Sequence, residues 1–352
     1  MSVYTVEPLD GPLSAHVEVP GSKSVANRAL VCAALASGDS QLDGIPPGDD
    51  TAAMLDGLQL LGVHVAATGR LDSVAVRGAG SPASFRRGPI TLPARLAGTT
   101  SRFLTALAAT GPGPYTIDGA PQLRTRPMTP LHDALVALGA DVRAGEQWGH
   151  LPVTVSGPLH GADHVAVRGD VSSQYITALM LIGPTLPSGL RIELTTPLVS
   201  RSYLGITAAV MEAFGVGGVE IGDDRVTVPH GPYRSVAYRV EPDASSASYP
   251  LAAAAGAGGT VHVPALTAAS LQGDARFASV LASMGCEVVV DGTGTTVSRH
   301  GPLRGIDIDM VDLSDLVPTL AVVAAFAASA TTIRGVGFIR RTESDRLGDL
   351  AA

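Results

Sequence analysis

The feature that most constrains this chain is that it repeats itself. Four segments, LDGLQLLGVHV (56–66), LHDALVALGADV (131–142), ITAAVMEAFGVGGVEI (206–221) and FASVLASMGCEVVV (277–290), each read as an amphipathic helix, a stopping glycine and a β-rich stretch. The stops are Gly62, Gly139, Gly215 and Gly285, spaced by 77, 76 and 70 residues. Glycine after the last helical residue is the usual left-handed helix stop. A short strand, a turn and a second strand follow each, as in EVVVDGTGTTVSRHG. Alternating with these are five strand–loop–helix–strand segments whose helices are rich in alanine, beginning with VEVPGSKSVANRALVCAALASGDSQLDG. One repeat is therefore βαβαββ. That is too long for a solenoid unit and sufficient to bury helices behind a sheet, so α/β architecture follows. The fifth repeat stops part-way, at RRTESDRLGDLAA, and the pattern reads as a chain cut inside a repeat.

Polar residues gather at one place in every repeat, just before a helix. They are Ser22, Lys23 and Ser24; Gly98, Thr99, Thr100, Ser101 and Arg102; Ser172, Ser173 and Gln174; Asp243, Ser245 and Ser246; Ser314 and Asp315. The second helices of the repeats add Asp49 with Asp50, Arg124 with Arg126, Ser200 with Tyr203, and Glu343 with Arg346. Capping of the free N–H groups explains one Ser, Thr or Asp per helix. It does not explain cations there, which the helix dipole disfavours by about 0.3–1 kcal/mol each. An anion reverses that sign, and helix N-termini bind phosphates and carboxylates. Arg28, four residues after Ser24, shares its helix face. Lys23, Arg28, Arg102, Arg126 and Arg346 together make a candidate polyanion site.

Lys23 is the single lysine among 24 basic residues. Lysine is a compact charge that can give and take a proton, whereas arginine is a fork that stays charged, so its retention here suggests proton chemistry. Asp315 and Glu343 supply carboxylates of the kind an addition–elimination needs.

Composition narrows the classes. A net charge of −8 argues against nucleic-acid binding. The start MSVYTVEPLDG has neither the basic nor the apolar segment of a secretory leader, and the apolar run LVPTLAVVAAFAASA is too short to span a bilayer, so no membrane association is expected. Cys32 and Cys286 read as buried free thiols, which fits the cytoplasm. The sequence has no phosphate loop, HExxH or paired CxxC, so no metal is expected.

The motifs PGSKSVANRAL, LAGTTSRF, RTRPMTPL, GDVSSQYITALM, SRSYLGIT, PDASSASY and RRTESDRL occur in an order that resembles the 5-enolpyruvylshikimate-3-phosphate synthase family of enolpyruvyl transferases, over essentially the whole chain. The resemblance implies a two-domain inside-out α/β barrel built from βαβαββ units. Residues 1–20 with 240–352 would form one domain, incomplete here, and 21–239 the other. Hinges are expected near Pro20–Gly21 and Arg239–Val240. It implies transfer of the carboxyvinyl group of phosphoenolpyruvate to the 5-hydroxyl of shikimate-3-phosphate, with release of phosphate, in aromatic amino acid biosynthesis. No cofactor is implied, and monomer is the family's default.

Residue by residue, the resemblance implies shikimate-3-phosphate contacts at Lys23, Ser24, Arg28, Ser172, Ser173, Gln174, Ser200, Tyr203 and Asp315. Phosphoenolpyruvate contacts are implied at Lys23, Gly98, Arg126, Gln174 and Arg346, and catalysis by Lys23, Asp315 and Glu343. Thr342 stands where many relatives are basic. The absent sixth repeat carries further pocket residues in the family, so a poorly active chain is expected. Gly98 matches relatives that glyphosate inhibits. Alternatives are a UDP-N-acetylglucosamine enolpyruvyl transferase, whose relatives carry Lys-Asn where this chain has Lys23-Ser24 and a reactive loop cysteine, and a non-catalytic binder of phosphate ligands.

Overall fold

The computed structural model describes residues 5, 7, 10–341 and 344–352. Four full units appear in chain order. The first is β1 (Leu13–His16), α1 (Lys23–Leu35), β2 (Ser37–Asp43), α2 (Asp49–Leu60), β3 (His64–Ala67) and β4 (Ser73–Ala79). The second is β5 (Ile90–Pro93), α3 (Gly98–Ala108), β6 (Tyr115–Asp118), the short α4 (Pro121–Arg124), α5 (Thr129–Ala137), β7 (Asp141–Ala144) and β8 (Val153–Ser156). The third is β9 (His164–Val167), α6 (Ser173–Ile182), β10 (Leu190–Leu194), α7 (Ser202–Ala213), β11 (Glu220–Ile221) and β12 (Arg225–Val228). The fourth is β13 (Ala237–Arg239), α8 (Ala244–Ala257), β14 (Gly259–Pro264), α9 (Phe277–Ser283), β15 (Glu287–Val290) and β16 (Gly294–Arg299). β17 (Asp307–Asp309), α10 (Val317–Ala324), β18 (Thr332–Arg334) and α11 (Arg346–Ala351) follow. The four stopping glycines have φ of 94° (Gly62), 92° (Gly139), 89° (Gly215) and 109° (Gly285), the left-handed region that other residues enter at a cost.

The chain divides into two compact units, Pro20–Glu241 and Met1–Val19 with Pro242–Ala352. In the first, three sheets share one plan. The order β5-β6-β8-β7 has its first pair parallel and the rest antiparallel, and β9, β10, β12 and β11 repeat it. The third sheet, β13-β2-β4-β3, borrows its first strand, because β13 pairs with β2 where β1 would stand (Ala237 opposite Gln41). β1 instead pairs in parallel with β14 (Leu13 opposite Gly259) in the sheet β1-β14-β16-β15 of the other unit. The first and fourth repeats thus exchange their opening strands, and the chain passes between units twice.

In the Pro20–Glu241 unit α1, α3 and α6 contact one another and are buried nearly all round: every residue from Val25 to Leu35 is buried, as are Thr100 to Ala108 and Tyr175 to Ile182. The strands alternate instead, with one buried face, as in β9 and β12. Helices lie inside and sheets outside, which explains why the helices read as Ala- and Leu-rich rather than amphipathic. Burying each Leu, Val or Ile there is worth about 1.5–3 kcal/mol. The other unit has its own core, in which α8 packs on β14, α9 and α10. Both cysteines are buried free thiols, and burial pushes the Cys32 thiol up to about 12. Among the described residues no helix is long and apolar enough to cross a membrane.

Candidate functional site

In the Pro20–Glu241 unit, the starts of α1, α2, α3, α6 and α7 are tied together by polar contacts. Ser22 caps α1, its hydroxyl accepting the Val25 N–H at 3.5 Å. Lys23, in the first turn, is 46% exposed and places Nζ 3.5 Å from Asp50 Oδ1, at the start of α2. The Asp50 carbonyl accepts the Thr100 hydroxyl of α3 at 2.8 Å.

The start of α3 has no side-chain cap. Two guanidinium groups crowd it instead. A Cβ on Gly98 would lie 2.7 Å from Arg102 Nη1 and 2.8 Å from Arg126 Nη1, so only glycine lets both come this close. Arg102 is 6% exposed and donates to the Gly98 carbonyl (2.8 Å), to Gln174 Oε1 on α6 (3.0 Å) and to the Pro127 carbonyl (3.3 Å). It also lies over the Tyr175 ring, whose hydroxyl donates to the same Pro127 carbonyl. Two like charges beside the positive end of a helix oppose one another and the dipole. The arrangement is favourable around an anion.

Arg28 is not a surface residue. It is 2% exposed, and burial lowers its pKa to about 10. Nε donates to the Thr207 hydroxyl (2.8 Å), Nη1 to the Ser24 carbonyl (2.7 Å), and Nη2 to Thr177 and the Tyr203 carbonyl (3.4 and 3.2 Å). The rings of Phe103 and Tyr203 flank it at 5.5 and 5.9 Å. It therefore ties α1 to α6 and α7, with one Nη1–H beyond those bonds. Ser172 caps α6 by accepting the Gln174 N–H at 3.2 Å, and Ser173 is buried beside it. Ser200 precedes α7 with φ 54°, a left-handed conformation unusual for serine, and its carbonyl accepts the Tyr203 N–H.

Arg124 departs from the expected pairing with Arg126 at a second-helix start. It ends the four-residue α4 and pairs with Asp118 at 2.6 Å, while α5 begins only at Thr129.

In the other unit, Asp243 caps α8 by accepting the Ser246 N–H (2.6 Å), and Gln272 accepts the Ala244 N–H (2.9 Å). Ser245 donates to Asp274 Oδ2 at 2.5 Å. Burial raises the Asp274 carboxyl to about 6, the neighbouring Asp315 and Asp243 charges add to this, and the Ser245 bond opposes it. Asp315 stands in the turn before α10 and pairs with Arg346 Nη1 at 2.6 Å. Glu343 lies outside the described residues. A cavity of about 790 Å³ lined by Asp10, Arg299 and His300 lies at the other end of α8, beside Ala257 and Gly258, away from these groups.

The structure thus joins Lys23, Gly98, Arg126 and Gln174 through short chains of contacts, and separately joins Asp315 with Arg346. Asp274 and Gln272 were not singled out in the sequence. Their signal was the polar LQGD tract between an apolar strand and helix.

The sequence profile of the EPSP synthase family, described as EPSP synthase (3-phosphoshikimate 1-carboxyvinyltransferase), matches residues 9–352. The chain is 40% identical over 348 residues to the 3-phosphoshikimate 1-carboxyvinyltransferase of Nostoc punctiforme, covering 99% of this chain and 81% of that protein. It is 41% identical to the protein of the same name from Syntrophobacter fumaroxidans, covering 97% of this chain and 80% of that one. Among solved structures, EPSP synthase from Acinetobacter baumannii matches with a TM-score of 0.82 at 23% identity, over 98% of this chain and 78% of that one. The enolpyruvyl transferase NikO from Streptomyces tendae matches with a TM-score of 0.68 at 18% identity, over 92% and 76%.

Proposed function

The chain belongs to the EPSP synthase family, and we propose that its residues carry out that family's reaction as follows. The 5-hydroxyl oxygen of shikimate-3-phosphate bonds to C2 of phosphoenolpyruvate while C3 takes up a proton. The C2–O bond to phosphate then breaks, phosphate leaves, and loss of a C3 proton restores the vinyl group. Every species on this path is a polyanion, so the protein's contribution is fixed positive charge and well-placed proton carriers.

The observation that carries the reading is the closing of Arg102 and Arg126 on Gly98 at the uncapped start of α3. Gly98, Arg126 and Gln174 receive phosphoenolpyruvate there, with Lys23 supplied from α1. Arg346 is assigned to the same substrate. Arg102 is its buried brace, since Nη1 and Nη2 are directed to Gly98, Gln174 and Pro127. Ser24, Arg28, Ser172, Ser173, Gln174, Ser200 and Tyr203 receive shikimate-3-phosphate, Arg28 through its remaining N–H. Asp315, paired with Arg346, takes the 5-hydroxyl proton. Lys23 and Glu343 exchange protons with C3.

The test is phosphate release by the purified chain. Release that requires both substrates, and that Lys23→Arg lowers at least 100-fold while shikimate-3-phosphate still binds, supports the assignment. Release unaffected by Lys23→Arg refutes the role of Lys23, and release that proceeds without shikimate-3-phosphate refutes the reading as a whole.

A further inference from the structure

Arg95 sits three residues before Gly98 with φ 51°, the left-handed region that glycine enters freely and arginine does not. Its side chain spans two carboxylates of α2. Nη1 is 3.0 Å from Asp49 and Nη2 2.7 Å from Asp56. Its carbonyl accepts the Ala120 N–H at 2.7 Å, at the cap of α4, whose chain runs on to Arg126. A Cβ on the neighbouring Gly119 would come within 2.7 Å of that carbonyl, so the two segments are pressed together.

One residue thus meets three strands of the same construction. Asp49 adjoins Asp50, which holds Lys23 and accepts from Thr100. Ala120 leads to Arg126, and Arg95 itself leads to Gly98. We propose that Arg95 is a positioning residue that sets the spacing of Lys23, Gly98 and Arg126 around the phosphoenolpyruvate anion, an inference that rests on the function assigned above.

A purely stabilising surface ion pair explains the geometry less well. Exposed pairs contribute little, and Arg95 is 39% exposed. Nothing about an ion pair requires a left-handed backbone. A strained non-glycine conformation persists where its surroundings over-determine it, and such residues cluster at functional sites. Here the surroundings are two carboxylates of α2 and the backbone amide at the cap of α4. Displacing bound groups by fractions of an ångström weakens transition-state contacts steeply.

The experiment compares the full chain with Arg95→Gly, with the pair Asp49→Asn/Asp56→Asn, and with all three changes combined. Glycine removes both ion pairs while relieving the backbone, so the variant folds with a Tm close to the parent's. The expected result is a five- to twentyfold rise in KM for phosphoenolpyruvate, with KM for shikimate-3-phosphate changed less than twofold. Hydrogen exchange of the 96–99 amides is expected to quicken. The Asp pair should show the same KM shift, and the triple variant no more than either. An unchanged phosphoenolpyruvate KM overturns the proposal, as does a rise shared equally by both substrates, or additive effects in the triple variant. A parent that releases phosphate without shikimate-3-phosphate is a different failure. It removes the functional reading, and the positioning role with it.

Discussion

His132, on α5, is fully buried, and neither ring nitrogen has a hydrogen-bond partner. Burial lowers its pKa from 6.5 to about 4; Asp133 opposes this shift, and His150 adds to it. Between those values the unfolded chain binds a proton that the folded chain refuses. Stability therefore falls as pH falls from 6.5, and the full penalty, about 3 kcal/mol, is reached near pH 4. Half-way, from pH 7 to pH 5, about 2 kcal/mol is lost. The chain's single tryptophan, Trp148, meets the His132 ring edge-on at 5.6 Å between centroids, so its fluorescence reports this region directly. Urea denaturation followed by that fluorescence, at pH 7, 6 and 5, measures the slope. His132→Leu removes both the titration and the two unsatisfied nitrogens. The variant should equal or exceed the parent's stability at pH 7. The parent–variant gap should then widen by about 2 kcal/mol at pH 5. A gap that does not change with pH refutes the argument that the buried ring is held neutral.

Asp274 has the opposite sign. Its carboxyl is raised from 3.8 to about 6, so the folded state holds a proton that the unfolded state has released, and that stability is lost as pH rises through 6. Asp274→Asn keeps an acceptor for Ser245 and should stabilise the α8 unit by about 2–3 kcal/mol at pH 7, read by hydrogen exchange of the α8 amides. Gly98→Ala places a methyl within 2.8 Å of both Arg102 and Arg126, so KM for phosphoenolpyruvate should rise at least tenfold; an unchanged KM would mean that the two cations do not hold that substrate. Ser200→Gly should raise Tm, since glycine relaxes the 54° φ by up to about 1 kcal/mol, while weakening shikimate-3-phosphate binding; unchanged binding would remove Ser200 from the site.

Much of this architecture was legible because it is written locally. Gly62, Gly139, Gly215 and Gly285 stop helices for a reason confined to their own φ, so their period displayed the repeat. The exchange of β1 and β13 is different. Leu13 pairs with Gly259 and Ala237 with Gln41, contacts between segments that are distant in sequence and that no local pattern encodes. The clustering of polar residues at helix starts marked elements that the structure ties together, yet which contacts tie them did not show. Arg28 and Arg102 read alike in sequence, as cations in apolar helices. Both are buried, because α1, α3 and α6 are surrounded by protein on all sides and present few positions to solvent. Arg95 carried no signal at all, since a left-handed residue is ordinarily announced by glycine or asparagine.

The proposed reaction adds the shikimate-3-phosphate hydroxyl to C2 of phosphoenolpyruvate and then expels phosphate. The most direct measurement is ¹³C NMR of the reaction of [2-¹³C]phosphoenolpyruvate with shikimate-3-phosphate in D₂O. The labelled carbon should move into an enol ether on the acceptor, with deuterium entering the adjacent methylene because C3 is protonated and deprotonated on the way. Label that ends in pyruvate, or an ether formed with no deuterium in its methylene, would contradict it.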